Sequence, residues 1–247
     1  MSRKYRNPPL VEALCEFQFV PSQPWDMTIP GLLYEKVRSD FPEKQQQRIT
    51  VASAFQSGQG GVAQRVESDQ RMQFIRSDKS ALLQVAPDLF TINHLTPYPT
   101  WEIFKPLILN NLEKCQDIAK PKGFRRIGLR YINKIGFNER PIELADYFNY
   151  YPFIPTELPQ THGTFQIGVE FPYEGGLDLL RLTFKSVIPE KSEVLALLLD
   201  IDYSVSMPES ISLHQASDWL EKAHTNIEKA FELCMTDKCR TLFGEER

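Results

Sequence analysis

The chain has 247 residues, of which 42% are hydrophobic and 24% charged. That length and mix belong to a globular protein with its own core, and exclude disordered, collagen-like and disulfide-stapled classes. The net charge of −4 runs against a dedicated nucleic-acid binder, which carries a basic excess.

No apolar run approaches the roughly 18 residues of a membrane-spanning helix. The longest, Val194 to Leu199, has the length of a strand. The opening MSRKYRNPPL has basic residues but no apolar stretch behind them. No secretory signal is therefore expected, and the cytoplasm is the expected location. Cys15, Cys115, Cys234 and Cys239 are scattered without metal spacing and read as reduced, buried thiols.

In chain order, residues 1–8 form a basic, polar arm. Leu10 to Val20 reads as a strand with Val11, Ala13, Cys15, Phe17 and Phe19 on one face, and Leu10, Glu12, Leu14, Glu16 and Gln18 on the other. A helix is expected from Gly31 to Phe41, with Leu33, Val37 and Phe41 on one side and Pro42 ending it. Five antiparallel strands follow: Ile49–Phe55, Gly61–Glu67, Met72–Ser77, Ala81–Val85 and Leu89–His94. The turn formers SGQGG, SDQ, SDKS and PD separate them. Trp101, Phe104, Ile108, Leu112 and Cys115 then lie at helical spacing between Thr100 and Ala119, with Pro106 either marking the first turn or kinking the helix.

The order of elements then repeats. A strand at 124–137 and a short helix at Ile142–Asn149 come first. Strands Thr164–Phe171, Leu177–Ile188 and Val194–Ser206 follow, then a long helix from Ser212 to Met235. Ser212 and Gln215 have the spacing of a capping box. The expected fold is α+β: two similar halves, 1–121 and 122–247, each a mostly antiparallel sheet wrapped on a long C-terminal helix. This is a helix-grip-like duplication within one compact unit.

The stretch GFRRIGLRYINKIGF, Gly123 to Phe137, carries the sharpest pattern. Period-two alternation sets Ile127, Leu129, Tyr131 and Ile135 against Arg126, Arg130 and Lys134. Two readings of the cations stand side by side. They pair with Glu12 and Glu16 as structural partners, or they line a groove for an anion, since the planar arginine fork grips phosphate. Asp200 and Asp202 form a D-x-D that reads as a solvent-facing strand edge or as two ligands for a divalent cation. Asp178 and Glu170 are the nearest candidates for a third carboxylate.

The histidines His94, His162, His214 and His224 show no metal spacing, and no nucleophile motif is present. The glycines of SGQGG and EGG sit between strand patterns and read as hairpin turns rather than phosphate loops. The segment DYFNYYPFIPTEL gathers Tyr147, Phe148, Tyr150, Tyr151 and Phe153, which make a partner surface or close one end of the sheet.

The segments NPPLVEALCEF, PGLLYEK, IGLRYINKI and the DYF of Asp146–Phe148 together resemble an uncharacterised family of bacterial and archaeal proteins along nearly the whole chain. The resemblance implies a prokaryotic cytoplasmic protein of this length and brings no reaction. The expected function is non-catalytic binding of a protein partner or of a second copy, with no cofactor. The alternatives are a nucleotide- or nucleic-acid-processing enzyme that uses a divalent cation at Asp200 and Asp202, and a nucleic-acid-binding protein.

Overall fold

Side-chain alternation decides where the two central strands of this protein lie. In the computed structural model, which describes residues 3–22, 24–56, 62–139, 141–160, 163–190 and 193–246, β1 is Lys4–Tyr5 and β2 is Leu10–Val20. Helix α1, Ile29–Val37, leads to β3, Glu43–Gln56, β4, Val62–Ile75, β5, Ala81–Ala86, and β6, Leu89–Leu95. Helix α2, Trp101–Ala119, precedes β7, Gly123–Phe137, and the one-turn α3, Leu144–Tyr147. Then come β8, Gln166–Tyr173, β9, Asp178–Val187, β10, Leu195–Val205, α4, Ala216–Cys234, α5, Asp237–Phe243, and β11, Glu245–Glu246.

Nine strands form one antiparallel sheet in the order β3-β4-β5-β6-β2-β7-β10-β9-β8. The β2–β7 pair sits near its middle and sets Leu14 opposite Arg130 and Phe17 opposite Ile127. Ala13, Cys15 and Phe17 of β2 are fully buried, as are Ile127 and Leu129 of β7 and Leu197 and Ile201 of β10. Each large apolar side chain so buried stabilises the fold by about 1.5–3 kcal/mol.

The helices cover this apolar face because their own stripes match it. In α2 the stripe is Trp101, Phe104, Ile108, Leu112 and Cys115, all buried. In α4 it is Ala216, Trp219, Leu220, Ala223 and Ile227. Helix α4 lies on β10 and β7, and α2 lies on β6 beside α1. Ser212 and Gln215 make the expected capping box ahead of α4, with the Ser212 N–H donating to Gln215 Oε1 at 3.0 Å. Among the described residues, no helix is long and apolar enough to cross a membrane.

Several boundaries differ from the sequence reading. Within the described residues, the strands expected at 61–67 and 72–77 are one strand, β4, which ends at Ile75. Ser68 and Gln70 face Thr50 and Arg48 in the ladder, so pairing with β3 outweighs the local turn preference of Ser-Asp-Gln. Helix α1 begins at Ile29 and ends at Val37, although Phe41 still packs in the core. Pro106 falls inside α2. The expected helix at Ile142–Asn149 shrinks to one turn because Phe148 turns extended and bridges to Met235. The SGQGG turn and His162 lie outside the described residues.

The N-terminal arm is anchored. Lys4 and Tyr5 pair with Glu246 and Glu245. The Tyr5 hydroxyl donates to Glu232 at 2.7 Å, and its ring meets Phe243 edge-on at 5.6 Å.

Candidate functional site

Period two that buries one face of the sheet gives the other face to polar side chains. Glu12, Leu14, Glu16 and Gln18 of β2 stand beside Arg126, Gly128, Arg130 and Ile132 of β7. Asp200 and Asp202 of β10 and Arg181 of β9 continue the row. The helices lie on the opposite face and leave this one uncovered by them, although Gln73, Thr91, Asn93 and Asp200 are buried within it.

Its charges are paired. Arg126 Nη1 donates to Glu16 Oε1 at 2.9 Å and Nη2 to Asp202 Oδ2 at 3.2 Å. Arg130 holds Asp200 in bidentate fashion, Nε to Oδ1 at 2.7 Å and Nη2 to Oδ2 at 2.5 Å. That geometry is the strong form of an arginine–carboxylate pair, and the hydrogen bonds to Asp200 raise the Arg130 pKa. Burial pushes the Asp202 carboxyl up, opposed by Arg126 and Arg130. Arg181 Nε donates to Glu170 Oε1 at 2.8 Å.

Lys134 lies toward one end of the face. Its ammonium meets Glu190 at 2.6 Å and Glu193 at 3.0 Å. Gly136 permits this, because a Cβ there would run into the Glu193 carboxylate. Gly128 plays a similar part under Arg126: a Cβ would lie 2.7 Å from Nη1. The missing side chain lets the guanidinium cross β7 and leaves a depression of about 330 Å³, lined by Leu14, Glu16, Arg126, Gly128, Arg130, Arg181 and Asp202.

Toward the other edge the charges give way to amides. Asn93 Nδ2 donates to Glu12 Oε1 at 2.6 Å, and Gln84 Nε2 to Asn93 Oδ1 at 2.9 Å. Gln73 Nε2 reaches both Gln84 and Gln47, and Gln45 Nε2 donates to Gln73 Oε1 at 2.6 Å. The amide chain thus crosses β3, β4, β5, β6 and β2. Networks of this kind fix side-chain orientation when every member is satisfied.

The structure therefore brings together five of the residues singled out by sequence: Glu16, Arg126, Arg130, Asp200 and Asp202. Glu16 partners Arg126, whereas Glu12 takes Asn93 and Arg130 takes Asp200. Neither candidate third carboxylate joins Asp200 and Asp202. Asp178 points to the helix side, where it accepts from Tyr203 and Trp219, and Glu170 is held by Arg181. Among the described residues no group of three or more His, Cys, Asp or Glu could hold a metal ion.

The aromatic segment divides. Phe148 is 1% exposed and packs on Phe184 at 4.7 Å. Tyr147 meets Phe137 edge-on at 5.0 Å, and Tyr150 lies 6.4 Å from Phe184. Only Tyr151 and Phe153 of the five are exposed, Phe153 at 85%. All four cysteines are buried and form no disulfide. Burial pushes the Cys115, Cys234 and Cys239 thiols up to about 12, so they are not thiolates at neutral pH.

A second polar cluster lies under the helices. The Tyr131 hydroxyl is 2.9 Å from His224 Nδ1 and 3.2 Å from the Tyr98 hydroxyl, and the Trp101 ring stacks on His224 at 4.2 Å. His224 Nε2 faces Glu228 Oε1 at 3.4 Å. Burial lowers the His224 pKa, against Glu228, Glu221 and Glu102 and with Lys105; burial also lowers that of His94.

Both imidazoles thus bind protons less readily folded than unfolded. Their contribution to stability is full above about pH 6.5 and is lost as pH falls below it, toward the depressed folded values. The urea midpoint should drop between pH 7.5 and pH 5.5, and His224→Gln should flatten that slope. A midpoint constant over this range in the native protein would refute the assignment.

Comparison with protein-family models and with curated proteins returns no match. Among solved structures, the S. pombe Pct1 RNA triphosphatase aligns over 96% of this chain and 85% of that one, at 8% identity and a TM-score of 0.14. A likeness of that size carries no argument.

Proposed function

We propose that this chain is a non-catalytic binding protein of the prokaryotic cytoplasm that engages a protein partner through the open face of its sheet. The observation that carries this reading is the depression at Gly128, whose arginines and carboxylates are paired with one another, with the amide chain from Glu12 to Gln45 beside it. Such a face is pre-organised, and pre-organisation lowers the entropy lost on binding.

Balance of charge favours a protein over phosphate. Arg126 already holds two carboxylates and Arg130 one. A phosphate would have to displace them and leave those carboxylates half-buried without a counter-charge. A protein surface of alternating charges and amides adds hydrogen bonds without breaking these.

The test is a pull-down of the tagged protein from its native host at moderate salt, with and without nuclease. A partner protein should be retained in near-stoichiometric amount by the native chain and by Phe153→Ala, and lost with Arg181→Glu. Arg181 is half-exposed in a surface pair, and the exchange sets a carboxylate opposite Glu170 and Asp202, which costs the fold about 1 kcal/mol. Nuclease-sensitive retention, or a partner indifferent to Arg181→Glu, would defeat the proposal.

The sheet also supports a reading as two related halves joined near Lys120–Lys122. Outward from the β2–β7 pair the order is β2-β6-β5-β4-β3 on one side and β7-β10-β9-β8 on the other. A long helix, α2 or α4, follows each set in the chain. Related sequences whose two halves share no common pattern would argue against duplication.

A further inference from the structure

Strand β8 and the first six residues of β3, the other outer strand, are guarded very differently. Strand β3 begins Glu43-Lys44-Gln45-Gln46-Gln47-Arg48, with Glu43 paired to Lys79 and Lys44 lying over the Tyr34 ring. Charges of this kind are how natural sheets keep an edge from pairing with another chain. Strand β8, Gln-Ile-Gly-Val-Glu-Phe-Pro-Tyr, has no lysine or arginine, and its single charge, Glu170, is tied back to Arg181.

The free backbone of β8 can be assigned by parity. The Ser186 N–H donates to the Phe165 carbonyl at 3.1 Å, in line with the register that sets Gln166 opposite Lys185. Hydrogen-bonded pairs recur at every second residue of an antiparallel ladder. Ile167, Val169 and Phe171 therefore bond to β9, and the N–H and C=O groups of Gln166, Gly168 and Glu170 point away from the sheet. Pro172 shares that outward parity and has no donor to offer.

The apolar layer also runs out at this strand. Val169 and Phe171 stand opposite the buried Leu182 and Leu180 on the helix side, yet are 42% and 40% exposed. An edge with free donors and acceptors and a half-open apolar row is a template for another strand.

We propose that β8 pairs antiparallel with β8 of a second copy about a two-fold axis at Gly168, which extends the sheet across both chains. Charge selects this occupant and register. With Gly168 opposite its own copy, Glu170 faces the neutral Gln166 of the other chain on both sides of the axis. Centring on Glu170 would oppose two carboxylates, and centring on Pro172 would oppose two residues without donors. In the chosen register Val169 of each chain lies opposite Ile167 of the other, so the exposed apolar row is covered. The interface is isologous, as two-fold symmetry requires. This pairing does not rest on the open polar face, and either proposal can fail alone.

Two measurements test it on the full chain. Sedimentation of the native protein from about 1 µM to about 1 mM should show a monomer–dimer equilibrium. Val169→Lys, which puts a charge into the new seam, should sediment as monomer with an unchanged circular-dichroism spectrum. Gly168→Cys should give a covalent dimer with a short bis-maleimide. A Cβ at 168 meets only Thr183 Oγ1 at 3.7 Å and Leu182 O at 3.8 Å, and the four native thiols are buried. Gln46→Cys, on the opposite edge, should give none. A native protein that is monomeric throughout, a dimer that survives Val169→Lys, or equal cross-linking at 46 and 168 would overturn the proposal.

Discussion

Asp178→Ala is expected to lower the unfolding free energy by about 2–5 kcal/mol, the cost of leaving two buried donors without an acceptor. Asp178 is 1% exposed. It accepts from the Tyr203 hydroxyl at 3.0 Å and from Trp219 Nε1 at 3.1 Å, and it pairs with Lys222 Nζ at 2.6 Å. Alanine leaves the tyrosine and tryptophan donors buried without acceptors, while the Lys222 ammonium can still reach water. The loss is a large part of the roughly 5–15 kcal/mol that holds an ordinary domain together. Asp178→Asn keeps an acceptor oxygen and should cost less than half as much. Urea unfolding of the two variants measures both, and a loss under about 1 kcal/mol for alanine would remove Asp178 from the account of how α4 is fixed on the sheet.

Arg126→Ala should cost about 2–3 kcal/mol. That is below the range for fully buried pairs because Arg126, Glu16 and Asp202 keep 28%, 21% and 16% of their side-chain surface exposed. The two carboxylates would then share the depression with no guanidinium between them. Arg126→Lys should recover only part, since an ammonium cannot span both partners as the planar fork does. Adding Glu16→Gln to Arg126→Ala should recover more than half of the loss, and a double-mutant cycle in urea measures this coupling. Strictly additive losses would mean that the triad is not an energetic unit.

The sequence shows the layout of the fold more clearly than its surface. Strands β2 and β7 and helix α2 are legible because one periodicity runs through most of each, broken at the β2–β7 register shifts that bury Leu10 and Phe124, and the capping box before α4 is legible from its Ser-x-x-Gln spacing. Strand β4 is not, because Ser-Asp-Gln carries local turn chemistry that only cross-strand pairing with β3 overrides. The docking of the N-terminal arm on α5 and β11 escapes as well: Lys4 and Tyr5 gain their partners from residues 245 and 246.

At the site, alternation alone places Arg126 and Arg130 on the polar face, whereas the match of Glu16 to Arg126 needs β2 beside β7. The pairing of Arg130 with Asp200 depends on β10 lying next to β7, which follows from tertiary order and not from local pattern. The same order turns the D-x-D from a free-standing pair into the counter-charge of two arginines. The amides Gln45, Gln73, Gln84 and Asn93 each sit at a polar position of an alternating strand. That signal is real, but it becomes a chain only once five strands are in register.

The open polar face as the partner-binding surface is tested most directly by titrating the captured partner against the native protein and Arg181→Glu in a calorimeter at one salt concentration. The account predicts that Arg181→Glu weakens binding at least about tenfold, or ~1.4 kcal/mol, while its melting temperature stays close to that of the native chain. Equal affinities for the two proteins would contradict it and move the partner to another surface.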